Sequence, residues 1–331
     1  MSTSGVFASD FFSRRRKTIT AAGEPATEQP GRRIIVEADD GVPLVVWEFG
    51  PAREEAALTL LLLHGHCMQA KSWDAVRNRM PADLRVVCYD HRGHGDSGRA
   101  HPQTYTVEQL GRDLAAVMRT MCPTGPVILV GHSMGGMSAM AYARLHPEMF
   151  RSQVVGAALI ATAARGLTQA GLGRYIVGRP LTLVRHAVRR APRAMGVGKK
   201  FTGFMAKPLV RRTSFGSWKV DPRVLAFATA MVNQTSVVTM AGFLDDFVSY
   251  DETVALEVFD GVPVVIVAGT CDLMTPFEHS RELAHALPGS ELICLEGAGH
   301  SVIIERAADV AETVRGLVAR VCMSPRLGLV G

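Results

Sequence analysis

The chain has 331 residues, 47% of them hydrophobic and 20% charged, with a formal net charge of +5. That length suits one large domain with an insertion or two modest ones, and the apolar content is enough for a sizeable core. No stretch holds 18 consecutive apolar residues, which argues against a membrane-spanning helix, and so mild a charge gives no reason to expect a nucleic-acid partner.

The first 30 residues read as a flexible tail. Ser13-Arg14-Arg15-Arg16-Lys17 resembles the start of a twin-arginine signal, but Thr18–Pro25 is too short and too polar to serve as its apolar segment. The expectation is a cytoplasmic protein. Phe7, Phe11 and Phe12 beside Arg14–Lys17 suggest a peripheral contact with an anionic membrane surface as the alternative.

Arg33–Glu37 and Val42–Phe49 read as a hairpin turning at Asp39-Asp40-Gly41. Apolar runs at 58–63, 85–89, 127–130, 154–160, 262–268 and 291–295 read as strands buried on both faces. Helical patterns lie between them at Lys71–Arg79, Val107–Met121, Met134–Leu145, Pro276–Ala286 and Val302–Val321. Strands alternating with helices imply an α/β fold, with a mostly parallel sheet covered on both faces. Right-handed crossovers bring the strand C-termini to a common edge.

Residues 166–250 break this rhythm, with no clear strand and several glycines and prolines. Fourteen Lys/Arg face three Asp/Glu between Arg165 and Tyr250, against 22 and 28 elsewhere. The division expected is a tail (1–30), a core (31–165 and 251–331) and a helical cap (166–250). Leu167, Leu172, Tyr175, Ile176, Phe201, Phe204, Met205, Phe215, Trp218, Phe227, Met231, Phe243 and Phe247 are this segment's candidates for lining a pocket or for gluing its helices together. The six cysteines show no C-x-x-C spacing and no disulfide or metal framework. Cys88 and Cys294 fall in expected core strands, where cysteine behaves as a small hydrophobe.

The chemistry concentrates just past the strand ends. Gly131-His132-Ser133-Met134-Gly135 stands between an apolar run and a helical segment, the context of a nucleophile elbow. Asp272 follows the strand ending near Ala268, and His300 follows the strand ending at Leu295. Serine, acid and histidine in that order suit nucleophilic acyl transfer. Ser133 would attack, His300 would carry its proton, and Asp272 would fix the imidazole tautomer. Asp245, Asp246 and Asp251 are the competing acids.

Five motifs in order carry a resemblance. They are Leu63-His64-Gly65-His66, Asp90-His91-Arg92-Gly93-His94-Gly95-Asp96-Ser97, the serine pentapeptide, Gly269-Thr270-Cys271-Asp272 and Gly297-Ala298-Gly299-His300. Together they resemble the α/β-hydrolase fold superfamily, over roughly residues 33–165 and 250–321, and in particular its serine esterases and monoacylglycerol lipase-like members. The resemblance implies an eight-stranded sheet with an inserted cap and an acyl-enzyme mechanism on an apolar ester. Its oxyanion hole would be the backbone N–H groups of Met134 and His66, with Cys67 as the alternate to His66. His64 and His132 would be structural, and Asp90 and Arg92 would tie their loop to the sheet.

No cofactor or metal is implied, because the glycines lack dinucleotide or P-loop spacing. The expected partner is a small-molecule ester or lipid. A perhydrolase, a C–C hydrolase, an aminopeptidase and a small-molecule receptor share these motifs and stay open.

Overall fold

A computed structural model describes residues 31–175, 183, 186–188, 190–191, 194–195, 206–217 and 219–323. The tail with Phe7, Phe11, Phe12 and Arg14–Lys17 lies outside the described residues, as do Ile176, Phe201, Phe204, Met205 and Trp218.

The eight strands are β1 (Arg32–Glu37), β2 (Pro43–Phe49), β3 (Thr59–Leu63), β4 (Arg85–Tyr89), β5 (Val127–His132), β6 (Val154–Ile160), β7 (Val264–Gly269) and β8 (Glu291–Leu295). They form one sheet in the order β1-β2-β4-β3-β5-β6-β7-β8. The β1–β2 and β2–β4 pairs are antiparallel and the other five are parallel. This is the mostly parallel α/β sheet that the alternation of strands and helices implied. The unbroken apolar runs have a simple cause. Leu61 and Leu63 enter the core on one face of the sheet, and Leu60 and Leu62 enter the core on the other. Cys294 departs from expectation, because β8 is an edge strand and its thiol is exposed, whereas Cys88 is buried.

Helix α1 (Val107–Met121) is capped by Thr106, whose Oγ1 accepts the Gln109 N–H at 3.1 Å. It buries Leu110, Leu114, Val117 and Met121, spaced three and four residues apart. Helix α2 (Met134–Leu145) starts immediately after Ser133. Helix α3 (Pro147–Gln153) has no counterpart in the sequence reading; Pro147 begins it after His146 has left helical geometry. The helix expected over 302–321 is broken at Arg306 (φ −127°) into a single turn, Val302–Glu305, and a longer helix, Ala307–Cys322. The one expected over 71–79 is a 3-10 turn followed by the short helix Asp74–Arg77.

In the insertion, α4 (Ala206–Ser214), α5 (Pro222–Gln234) and α6 (Val237–Asp246) are helical, and none of the described residues of 166–250 forms a strand. An isolated β-bridge between Arg165 and Asp251 brings the insertion's two ends together. Helix α6 docks on the core through Asp246, whose Oδ2 accepts the Val107 N–H at 2.8 Å.

Two buried networks fix the loops beyond the strand ends. Arg92 is fully buried and forks onto Asp113 at 2.6 and 2.7 Å and onto Asp40 at 2.7 and 3.0 Å. It thereby joins its loop to α1 and to the first hairpin. Asp90 accepts the N–H groups of Ala70 at 2.7 Å and Asp96 at 2.8 Å.

The second network is made of imidazoles. His64 Nε2 lies 2.9 Å from the His91 N–H and accepts it, so its Nδ1 carries the hydrogen and donates to the Gly65 carbonyl at 2.7 Å. By the same reasoning His94 Nε2 accepts the Cys67 N–H at 3.1 Å, and its Nδ1 donates to the Arg92 carbonyl at 3.1 Å. Burial pushes the pKa of His64 well down, that of His91 to about 3 and that of His94 to about 4.

These networks generate two expectations. Replacing Arg92 by Met strands the fully buried Asp113 without its partner and should cost about 3–5 kcal/mol in urea unfolding. An unchanged midpoint would contradict the role given to this arginine. The second concerns acid. Below about pH 6.5 the unfolded chain protonates histidines that the fold keeps neutral, so stability is lost as pH falls towards 3–4. Each such histidine withdraws about 2 kcal/mol by pH 5. Asp90 works in the opposite sense, because burial pushes its pKa up to about 6, and it returns about 1 kcal/mol over the same range. The melting temperature should therefore drop clearly between pH 7 and pH 5, and a flat or rising profile would refute this account.

Candidate active site

The three triad candidates emerge at the C-terminal edge of the sheet, from the ends of β5, β7 and β8. Ser133 occupies the sharp turn between β5 and α2 with φ 52° and ψ −119°, a backbone geometry that a residue with a Cβ adopts only at a cost. The neighbouring glycines allow it. A Cβ at Gly131 would stand 2.5 Å from the Gly136 nitrogen, and one at Gly135 would stand 2.2 Å from the Leu63 carbonyl oxygen. The elbow is thus wedged against β3 and folded onto its own helix. The Ser133 hydroxyl is held at the start of α2, beside the positive end of the helix dipole.

His300 brings its Nε2 within 2.9 Å of Ser133 Oγ, and its Nδ1 lies 2.8 Å from Asp272 Oδ2. A carboxylate only accepts, so Nδ1 carries the hydrogen and Nε2 is left to take the serine proton. Asp272 Oδ1 accepts the N–H groups of Met274 at 2.7 Å and Thr275 at 2.9 Å. The Thr275 hydroxyl lies 2.9 Å from both Asp272 Oδ2 and the Ala161 carbonyl. Burial by itself would raise the Asp272 pKa, but the His300 charge and these hydrogen bonds outweigh it and hold the carboxyl below its ordinary value. Two of the competing acids are engaged elsewhere. Asp246 accepts the Val107 N–H at the start of α1, and Asp251 accepts from Thr253.

Two further backbone positions frame the serine. Met134 is the first residue of α2, where N–H groups point out of the helix end. His66 follows β3, and its ring packs edge-on to Phe243 and Phe247 at centroid distances of 5.7 Å. Cys67, the alternate oxyanion donor, is in the left-handed region at φ 59°, with its N–H committed to His94. That commitment removes it as an oxyanion donor.

Ser133 and His300 open into a cavity of about 340 Å3. Of the cap residues named from sequence, Leu167, Leu172, Met231 and Phe247 line it. Phe215 packs instead with Val210, Leu225 and Ala228, Phe243 packs against Tyr105 and His94, and Phe227 lies beneath Lys71. Further lining comes from Met68, Met137, Leu209, Val210, Leu244 and Met274, which the sequence reading did not single out.

Sequence reasoning also missed Thr275; the signal present was Asp272 itself, whose side chain turns back onto the backbone two residues on and so brings Thr275 beside it. The same reasoning left His132 without a partner. The structure gives it one, since its Nε2 donates to the His300 carbonyl at 2.8 Å. Burial pushes its pKa down to about 3. Among the described residues one group of three acids, Asp39, Asp40 and Asp113, could hold a cation by spacing, but Arg92 already pairs with Asp40 and Asp113 and Gln109 donates to Asp39.

Comparison with known proteins agrees with this architecture. Residues 60–313 match the alpha/beta hydrolase family. The pimeloyl-acyl-carrier-protein methyl ester esterase of Neisseria meningitidis is 26% identical over 273 residues, spanning 82% of this chain and 80% of that protein. Among solved structures, an esterase from Thermogutta terrifontis superposes with a TM-score of 0.70 at 23% identity, covering 88% of this chain and 100% of the other. An enol-lactonase from Burkholderia xenovorans has a TM-score of 0.70 at 25% identity, covering 86% and 99%. A match over three quarters of the length, on a sheet of this order, leaves one conclusion: the chain belongs to the alpha/beta hydrolase family.

Proposed function

We propose that this hydrolase cleaves a carboxylic ester of an apolar acyl group through an acyl-enzyme intermediate. The observation that carries the reading is the hydrogen-bonded line from Ser133 through His300 to Asp272, opening into an apolar cavity.

Ser133 Oγ attacks the ester carbonyl while His300 Nε2 takes its proton. The backbone N–H groups of Met134 and His66 receive the negative charge that develops on the carbonyl oxygen. His300 then returns the proton to the departing alcohol, and water repeats the cycle to release the acid. Asp272 stays ionised throughout, which stabilises the imidazolium and keeps the hydrogen on Nδ1.

An apolar wall favours an uncharged acyl group. A cavity near the lower end of the roughly 300–1,000 Å3 span of small-molecule sites favours a short one. The similar proteins include a methyl ester esterase and an enol-lactonase. Ester and lactone share the acyl–oxygen bond that this chemistry breaks.

Ser133→Ala should abolish hydrolysis of p-nitrophenyl butyrate, and a fluorophosphonate should label Ser133 in the native protein. Undiminished turnover by the alanine variant would exclude the mechanism. Asp272→Asn preserves the shape but favours the wrong tautomer, and should lower kcat by about 10⁴. In an acyl-length series butyrate should be hydrolysed faster than palmitate, and the reverse order would overturn the assignment of a short acyl group.

A further inference from the structure

His300 stands on a loop pinned upstream to the end of β7, where Thr270 Oγ1 accepts the Gly297 N–H and the Ala298 carbonyl accepts the Cys271 N–H, both at 2.9 Å. Gly297 and Gly299 precede it, the first in the left-handed region at φ 71°. Three tethers bracket the residue. Its carbonyl accepts from His132. The N–H of Gly299, one position before it, donates to Glu305 Oε2 at 2.7 Å. The N–H of Ser301, one position after it, donates to the Ser214 carbonyl at 2.7 Å.

Ser214 is the last residue of α4 and belongs to the insertion. Two residues on, Gly216 donates its N–H to the same Glu305 carboxylate, 3.1 and 3.2 Å from the two oxygens. The two backbones touch with no space for a side chain between them. A Cβ on Gly216 would stand 2.0 Å from the Gly297 carbonyl oxygen, and one on Gly299 would stand 2.4 Å from the Gly216 nitrogen.

We propose that Glu305 is a positioning residue that couples the insertion to His300, holding with one carboxylate the N–H that precedes the histidine and the N–H of the segment after α4. This rests on the reading of Ser133 and His300 as the reacting groups. A carboxylate suits the task because both oxygens only accept, so it takes two N–H groups at once. An amide of the same shape offers one acceptor and turns a donor towards the second N–H. Helix α4 also supplies Leu209, Val210 and Thr213 to the cavity wall. An acyl group seated against α4 therefore bears on the element whose end carries Ser214 and Gly216. Filling of the cavity and alignment of the imidazole share one support.

The test is Glu305→Gln in the full chain, followed by steady-state kinetics on p-nitrophenyl butyrate, fluorophosphonate labelling and a thermal melt. A misplaced base should lower kcat on the order of 10- to 100-fold with KM little changed. Labelling of Ser133 should slow by the same factor, because attack on the fluorophosphonate draws on the same base. The downfield proton resonance of His300 Nδ1–H should shift or broaden. Gly216→Ala leaves Glu305 in place but drives a methyl group onto Gly297. It should reproduce the same kinetic split, and it decides the matter if Glu305→Gln does not fold. Folded variants with wild-type kcat and labelling rate, or losses that merely track the unfolded fraction, would overturn the proposal. Ser133→Ala separates the two levels. If it retains turnover, the reading of the site fails; if it is inactive while Glu305→Gln works like the wild type, only the coupling fails.

Discussion

The tight contact between the end of β5 and the start of α2 is the constraint on which the rest depends. Ser133 can project from the sheet only because Gly131 and Gly135 let backbone approach backbone at distances that no Cβ would permit. The unfavourable φ of Ser133 is sustained by hydrogen bonds at both of its backbone groups, its N–H donating to the Ile160 carbonyl at 2.9 Å and its carbonyl accepting from Thr162 Oγ1 at 2.8 Å. With the elbow fixed, the neighbouring strand ends define where any partner must arrive. β3 delivers the His66 loop on one side, and β7 and β8 deliver Asp272 and His300 on the other.

Much of this was legible in the amino-acid order. Glycines flanking a serine after an apolar run, and an acid and a histidine at later strand ends, are local signals, and the side chains they mark stand together in space. The strands were legible for the same reason, since burial on both faces leaves continuous apolar runs. Contacts that join distant segments were not. Nothing in the composition of Glu305 says that Gly216, 89 positions earlier, donates to it. The break at Arg306 was equally hidden, because the apolar spacing continues through it and only the backbone of Arg306 itself leaves helical geometry. Cys294 was misread because an edge strand and a central strand look alike in a short apolar window.

The histidines beyond β3 and β4 show why imidazole recurs in these loops. A neutral ring donates at one nitrogen and accepts at the other, so it can bridge an N–H and a carbonyl from two different segments. His64 and His94 each do so, and neither could if protonated. Burial secures the neutral state, and with it the left-handed turn at Cys67 that shapes the approach to Ser133.

The bridge between Arg165 and Asp251 carries an evolutionary corollary. Because the excursion leaves and rejoins the scaffold at adjacent points, its content can be lengthened, trimmed or exchanged while the strand ladder stays intact. That freedom is bounded at one place, because here the segment after α4 meets the glycine-rich turn ahead of His300 main chain to main chain, so a replacement module that kept this contact would have to offer a bare stretch of backbone there.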